Sequence, residues 1–213
     1  MKERFLETSG RTFVTADTHF GQADACASFE RPFRNSTAMQ KEIISRFNAV
    51  LGPEDLLLHL GDFVGNQGST KEKTRIAASV REQLDVGRII LVRGNHDPDR
   101  PRYREVFDDV HDLLDFRVDQ AGARVVCSHY PMRVWRGNRN GSMHLYGHTH
   151  GRLEEAGRST DVGVDCWGFR PILLAQSQIF CSRVPLAAPT PLTMRPWRPA
   201  ASRGWLCRAV TST

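Results

Sequence analysis

The chain of 213 residues has no C-x-x-C pair, and its five cysteines (Cys26, Cys127, Cys166, Cys181 and Cys207) are scattered and odd in number. A disulfide framework or a structural zinc site needs closely spaced sets of thiols, so neither is expected and the cysteines read as reduced. No apolar run approaches the roughly 18 residues of a membrane span, and the opening MKERFLETSGRTFVTADTH lacks the apolar stretch of a signal peptide. A cytoplasmic protein with no membrane partner is expected. Internal repeats are also lacking. Acidic residues stop at Asp165, and beyond it lie six arginines (Arg170, Arg183, Arg195, Arg198, Arg203 and Arg208). The first 165 residues therefore carry 23 basic and 24 acidic side chains, a net of −1, although the whole chain is at +5. The basic balance belongs to the end of the chain, so a nucleic-acid partner is not expected.

What is present suits one domain: 40% of residues are apolar, enough for a sizeable core. RTFVTADTHFG alternates and then breaks at Gly21, as a strand ending near Asp17 would. STAMQKEIISRFNAVLG keeps helical spacing through Ile43, Ile44, Phe47, Val50 and Leu51, with Thr37 and Gln40 resembling a capping box. EDLLLHLGD and GRIILVRGNHD are short apolar runs of the kind expected for buried strands. Between them, Ser69 and Glu72 form a second capping box that opens a helix running to about Leu84. Alternating strands and helices indicate an α/β layered domain. After Asp109, VHDLLDFRVD, ARVVCSH, SMHLYGH and STDVGVDCW are strand-like, so the second half reads as mostly β. The domain is expected over residues 1–175. Residues 176–213, with five prolines from Pro185 to Pro199 and no acid, are expected to be an irregular, poorly packed tail or the product of a shifted reading frame.

Each apolar run ends in a polar group able to bind a metal. Asp17 and His19 follow the first, Asp62 the second, and Asn95, His96 and Asp97 the third. His129 follows VVCS, and His148 and His150 lie in LYGHTHG. Strands direct residues i and i+2 to one face, so His148 and His150 should leave a strand end together. In open α/β sheets, ligands bind beyond the carboxyl ends of strands, where distant segments meet. Asp17, His19, Asp62, Asn95, His129, His148 and His150 are seven mixed oxygen and nitrogen donors. That exceeds the needs of one ion with open positions and suits two adjacent divalent cations, one carboxylate bridging them.

The order D-x-H, G-D, G-N-H-D, H and G-H-x-H resembles the calcineurin-like metallophosphoesterase superfamily over about residues 11 to 175. ADTHFG, RPF, LLLHLGDF, RGNHD, SHYPMRVW, LYGHTHG and DVGVDCWGFRP look like its small bacterial and phage phosphohydrolases, a subgroup largely without assigned substrates. The resemblance implies two facing β-sheets flanked by helices. It places Asp17, His19 and His150 on one metal, Asn95, His129 and His148 on the other, and Asp62 between them. Mn²⁺ is the expected metal, with Fe, Zn²⁺ or Ni²⁺ also compatible with these donors. The ions would lower the pKa of a shared water to give hydroxide and neutralise phosphoryl charge. By the same resemblance His96 stabilises the transition state or protonates the leaving oxygen, with Asp97 orienting its ring. The subgroup often has histidine where this chain has Gln22.

Arg133 and Arg139 are candidates to bind substrate phosphate, each competing with a solvated loop role. His59 is expected as a hydrogen-bonded core residue, with support of Asp62 the alternative. The activity expected is hydrolysis of a small phosphodiester, such as a nucleotide. A phosphomonoesterase or protein phosphatase is the next reading, and a non-catalytic protein-binding scaffold the last. Oligomeric state is not legible.

Overall fold

The structure is a computed structural model that describes Leu6, residues 9–118 and residues 123–177. Apart from Gln176 and Ser177, the tail expected from residue 176 lies outside these residues. Among the described residues the strands are β1 (Thr12–Thr15), β2 (Leu56–His59), β3 (Arg88–Val92), β4 (Asp109–His111), β5 (Leu113–Arg117), β6 (Arg124–Ser128), β7 (Met143–Tyr146), β8 (Ser159–Asp161) and β9 (Ile172–Leu173). The helices are α1 (Ala25–Ser28), α2 (Ser36–Asn48), α3 (Thr70–Gln83) and α4 (Pro101–Arg104).

Strands β1 to β4 run parallel in a five-stranded sheet ordered β4-β3-β2-β1-β9, with β9 antiparallel to β1. A second sheet is ordered β5-β6-β7-β8, with β6, β7 and β8 parallel and β5 antiparallel to β6. Register aligns Val14, Leu58 and Ile90 across β1, β2 and β3, and Phe13, Leu57 and Ile89 one residue earlier. The pleat sends these two rows to opposite faces. Val14, Leu58 and Ile90 pack with Leu114, Phe116, Val125, Cys127 and Leu145 of the second sheet, forming the sandwich core. Phe13, Leu57 and Ile89 pack against Met39, Ile43 and Phe47 of α2 and Ala77 and Val80 of α3. Both faces of the parallel sheet are thus covered, which explains why its strands read as continuous apolar runs. The α/β sandwich expected from the sequence is the observed architecture.

Local signals differ in four places. VHDLLDFRVD is two strands in different sheets, because Asp112 alone separates β4 from β5 and the chain crosses there. Helix α2 is capped by Asn35, whose side chain accepts from the Ala38 amide at 2.9 Å, not by Thr37, which lies inside the helix. The Ser69–Glu72 capping box is present as expected. STDVGVDCW is strand only at β8 and then turns into a 3₁₀ helix, Val164–Cys166. Ile172–Leu173 is an edge strand too short to show a period.

Parallel order brings the carboxyl ends of β1, β2 and β3 to one edge, and β6 and β7 do the same in the second sheet. Backbone bonds join these ends, among them Asp17 N to Gly61 O at 2.9 Å, His19 N to Asp62 O at 3.0 Å and Gly147 N to His129 O at 3.0 Å. Gly94 permits the closest approach: a Cβ there would lie 2.2 Å from Asp62 Oδ1 and 2.4 Å from the Asp62 amide nitrogen. Gly94→Ala should therefore destabilise the fold by about 1–3 kcal/mol in urea unfolding and displace the Asp62 carboxylate. Gly52→Ala, where the nearest atom would be 3.7 Å away, is the matched control and should be nearly neutral.

Candidate metal centre

The turns after the strands have an unusual backbone. Asp17 (φ 58°), His19 (φ 52°), Asp62 (φ 53°), His148 (φ 71°) and His150 (φ 50°) all occupy the left-handed region. Such residues cost of order 1–3 kcal/mol each and persist only where the surroundings over-determine them. They account for five of the seven donors anticipated from the sequence. The conformation also changes the reason the GHTH histidines meet. β7 ends at Tyr146, so His148 and His150 belong to a turn, and left-handed backbone rather than strand alternation aims them at the site.

All seven expected donors converge. Asp17, His19 and His150 form one group, and Asp62, His129 and His148 another, with one candidate donor atom per residue lying within 4.8 Å of the others in its group. A third group of the same kind, His19, Asp62 and His96, connects them. Asn95 joins through Oδ1, 3.0 Å from His129 Nε2. Asp62 therefore stands between two sets of donors.

The group fits a cation on its own chemistry. His19 is 1% exposed, yet neither ring nitrogen has a hydrogen-bond partner. Burial lowers its pKa to about 3 against the opposing pull of Asp62, so the ring is neutral with a lone pair available. A buried, unsatisfied imidazole is costly, and a coordinated ion would relieve it. Mixed carboxylate, amide and imidazole donors suit borderline divalent ions.

Three supports orient the donors. His129 Nδ1 lies 2.9 Å from the Leu60 carbonyl, to which it donates, leaving Nε2 toward Asp62 Oδ2 at 3.4 Å. Burial opposes ionisation of this pair. The His129 hydrogen bond and charge nevertheless hold Asp62 at about 2, and Asp62 raises His129 to about 9. Asp17, fully buried, is raised well above the usual carboxylate range by desolvation, although the His148 amide donates to both its oxygens at 3.0 and 2.8 Å. His150 Nδ1 meets Asp165 Oδ2 at 2.7 Å. Asp165 is held by Arg31 through two bonds of 2.8 Å, Nε to Oδ1 and Nη2 to Oδ2. Arg31, 4% exposed, also donates to the carbonyls of Asp17 at 2.6 Å and Thr18 at 3.1 Å. One guanidinium thus fixes the backbone of Asp17 and, through Asp165, the ring of His150.

One expectation is corrected, and for three other residues the structure favours one of the two readings the sequence offered. Asp97 does not orient the His96 ring. Its Oδ1 accepts from Phe63 N (3.1 Å), Val64 N (3.4 Å) and Tyr103 Oη (2.7 Å), and its Oδ2 from Gly94 N (2.9 Å). Sequence neighbours in a turn point apart, and this carboxylate joins the Asp62 and Asn95 turns. His59 Nε2 lies 3.0 Å from Thr18 Oγ1, which donates to Phe63 O, so the ring is a core residue bonded to Thr18 rather than to Asp62. Arg133 and Arg139 are exposed, and neither lines the pocket beside the cluster, where Arg93 stands instead. Gln22 is 2% exposed and packs against Gly65. Arg31 and Asp165 were missed. Asp161 was missed as well: it accepts from Thr149 Oγ1 at 2.5 Å and Gly151 N at 3.0 Å and so braces the GHTH turn. The sequence trace of all three was in the motifs themselves: RPF contains Arg31 and DVGVDCWGFRP contains Asp161 and Asp165, but neither motif assigns these side chains a role.

The family description "calcineurin-like phosphoesterase" matches residues 10–152, from the start of β1 through the GHTH turn. The chain belongs to that family. As a phosphoesterase of this group it is a hydrolase of phosphate esters. It is 26% identical over 171 residues to an uncharacterized protein of Methanocaldococcus jannaschii, covering 77% of this chain and 87% of the relative. It is 27% identical over 190 residues to the gene 66 protein of Mycobacterium phage D29, covering 73% and 88%. A solved structure of an Aquifex aeolicus protein of unknown function superposes with a TM-score of 0.58 at 24% identity, covering 80% of this phosphoesterase and 98% of that chain. No described helix is long and apolar enough to cross a membrane.

Two measurements test this arrangement. Arg31→Met leaves half-buried Asp165 with His150 as its remaining partner and should cost roughly 3 kcal/mol in denaturant unfolding, and Arg31→Lys should not restore it, because an ammonium cannot make the paired bonds. His129, raised to about 9, must lose a proton before Nε2 can bind an ion. Divalent-metal uptake at pH 7 should release at least one proton, read as buffer-dependent heat in calorimetry. Affinity should climb with pH until about 9.

Proposed function

We propose that this phosphoesterase hydrolyses a small phosphodiester at two divalent cations, Mn²⁺ foremost. Asp17, His19 and His150 would hold one, Asn95, His129 and His148 the other, with Asp62 between them. The observation that carries the reading is the position of Asp62 in two donor groups at once. When bound, the cations supply a water of lowered pKa and offset charge on phosphoryl oxygens.

The chain's own residues account for the rest. The His96 amide donates to Asp62 Oδ1 at 2.9 Å, and Lys73 Nζ donates to the His96 carbonyl at 2.8 Å. With its backbone held at both the amide and the carbonyl, the residue keeps 28% of its side chain exposed and Nε2 3.8 Å from Asp62 Oδ2. It stands at the mouth of the site, where it can give a proton to a leaving oxygen. Among the described residues, the buried arginine and the pocket arginine are already engaged, Arg31 by Asp165 and Arg93 by Asp112, and the cations left nearby, Lys73 and Arg152, are bonded to the backbone carbonyls of His96 and Ser28. A monoester dianion would call for an added cation, whereas a diester carries one negative charge. The diester is therefore favoured.

Bis-p-nitrophenyl phosphate should be turned over with Mn²⁺ and not after EDTA, and faster than p-nitrophenyl phosphate. Equal or reversed rates would favour monoester work, and no turnover with any metal would end the reading. Asp62→Ala should abolish turnover and lower bound metal. His96→Ala should cut turnover by roughly 10²–10⁴ with metal content retained, and loss of metal instead would make His96 a ligand.

A further inference from the structure

Next to the centre, beyond β3 and β6, is a pocket of about 370 Å³ walled by Arg93, Asn95, Asp112, His129, Tyr130 and Met132. Asn95 and His129 belong to both the pocket and the centre, so a group attached to phosphate at the centre can extend into it. Its volume is at the low end for small-molecule sites, enough for a ring system and too little for a folded protein segment.

Tyr130 gives the pocket its character. The side chain is large and apolar but 51% exposed, and its ring meets His148 edge-on at 4.6 Å and His129 at 5.1 Å. The surrounding loop is fixed: Ser128 Oγ donates to the Tyr130 carbonyl at 2.7 Å, and the Met132 amide donates to His144 Nε2 at 3.0 Å. His144 is fixed in turn by the Val126 carbonyl at 3.0 Å from Nδ1. The backbone that carries the ring is therefore placed before any ligand arrives, and the ring's edge contacts with His129 and His148 favour one orientation, which lowers the entropy lost on stacking. Charge in the pocket is balanced, since Arg93 Nη2 meets Asp112 at 2.5 Å and Asp99 at 3.5 Å. A second phosphate would meet Asp99 and Asp112 beside this guanidinium, whereas Arg93 Nε, buried and without a hydrogen-bond partner, is free to donate to a neutral acceptor.

We infer that this pocket receives an uncharged aromatic base, so that the substrate is a nucleotide-like ester, and that Tyr130 is the residue that selects it by stacking. The inference rests on the phosphodiester reading above and names the substrate class within it. Stacking of a base on an aromatic side chain strengthens binding substantially and tolerates different bases, because each offers a π-face.

The test uses the Mn²⁺-loaded full chain with bis-p-nitrophenyl phosphate as reporter and three competitors: adenosine 5′-monophosphate, ribose 5-phosphate and methyl phosphate. All three present the same phosphate group, and only the first has a base. Adenosine monophosphate should inhibit at roughly tenfold lower concentration than the other two. Tyr130→Ala should bring the three together through loss on adenosine monophosphate alone, and Tyr130→Phe should keep them apart. Elemental analysis should show the same metal content in both variants, and calorimetric titration of the three ligands should give the same ranking without turnover. Equal inhibition by the three in the unaltered enzyme overturns the inference and leaves the phosphodiester reading standing; this comparison needs no variant. A preference for adenosine monophosphate that survives Tyr130→Ala overturns the role of Tyr130. Absence of turnover on any ester defeats the phosphodiester reading and this inference with it.

Discussion

The contact between Asp62 and His129 joins the two sheets at the place where chemistry is expected. Asp62 follows β2 in the parallel sheet and His129 follows β6 in the other, with 3.4 Å between Oδ2 and Nε2. The Leu60 carbonyl accepts from the other nitrogen of the same ring, so one hydrogen bond and one ion pair from a single strand end hold this histidine. Everything else at the site is arranged around this pair: His96 through its amide to Asp62, Asn95 through its oxygen to His129, and His19 with Nε2 3.7 Å from Asp62. In a buried setting such a pair is costly to desolvate, and it persists because the charges and hydrogen bonds on each side favour ionisation of both.

The approach of the two sheets also demands an absence of side chains. Gly147 and Gly163 would each place a Cβ 2.7 Å from Asp17 Oδ2, and Gly61 would place one 2.5 Å from His129 Nδ1. These glycines surround the donors and let backbone approach to within contact. The donors between them accept left-handed backbone in exchange for converging. Strain and close packing therefore have one origin, the gathering of several polar side chains in a space normally filled by apolar ones.

How much of this was legible in the sequence depends on whether the signal was local. β1, β2 and β3 announce themselves because both faces are buried, and α3 because its capping box lies within four residues. The seven donors were legible because each directly follows a strand, so naming the strand ends names the donors. The β4–β5 crossing was not legible, since one residue, Asp112, separates strands whose difference is only in their partners. Asn35 was overlooked because Thr37 offered a similar pattern two residues later. Asp97 was misread because adjacency in sequence suggested adjacency of side chains, whereas its partners are 3 to 34 residues away. Arg31 and Asp165, separated by 134 residues, leave no trace that periodicity or composition could detect.

That separation bears on how the molecule is made. As the chain leaves the ribosome, the first sheet's strands are available long before Asp165 emerges, and until then Arg31 has carbonyls but no counter-charge. A guanidinium without an anion resists burial, so its loop stays wet and the turn bearing Asp17 stays loose. Asp165 therefore acts as a latch: the guanidinium that fixes the turn of Asp17 and, through Asp165, the ring of His150 gains its counter-charge only from a residue 134 positions further along the chain.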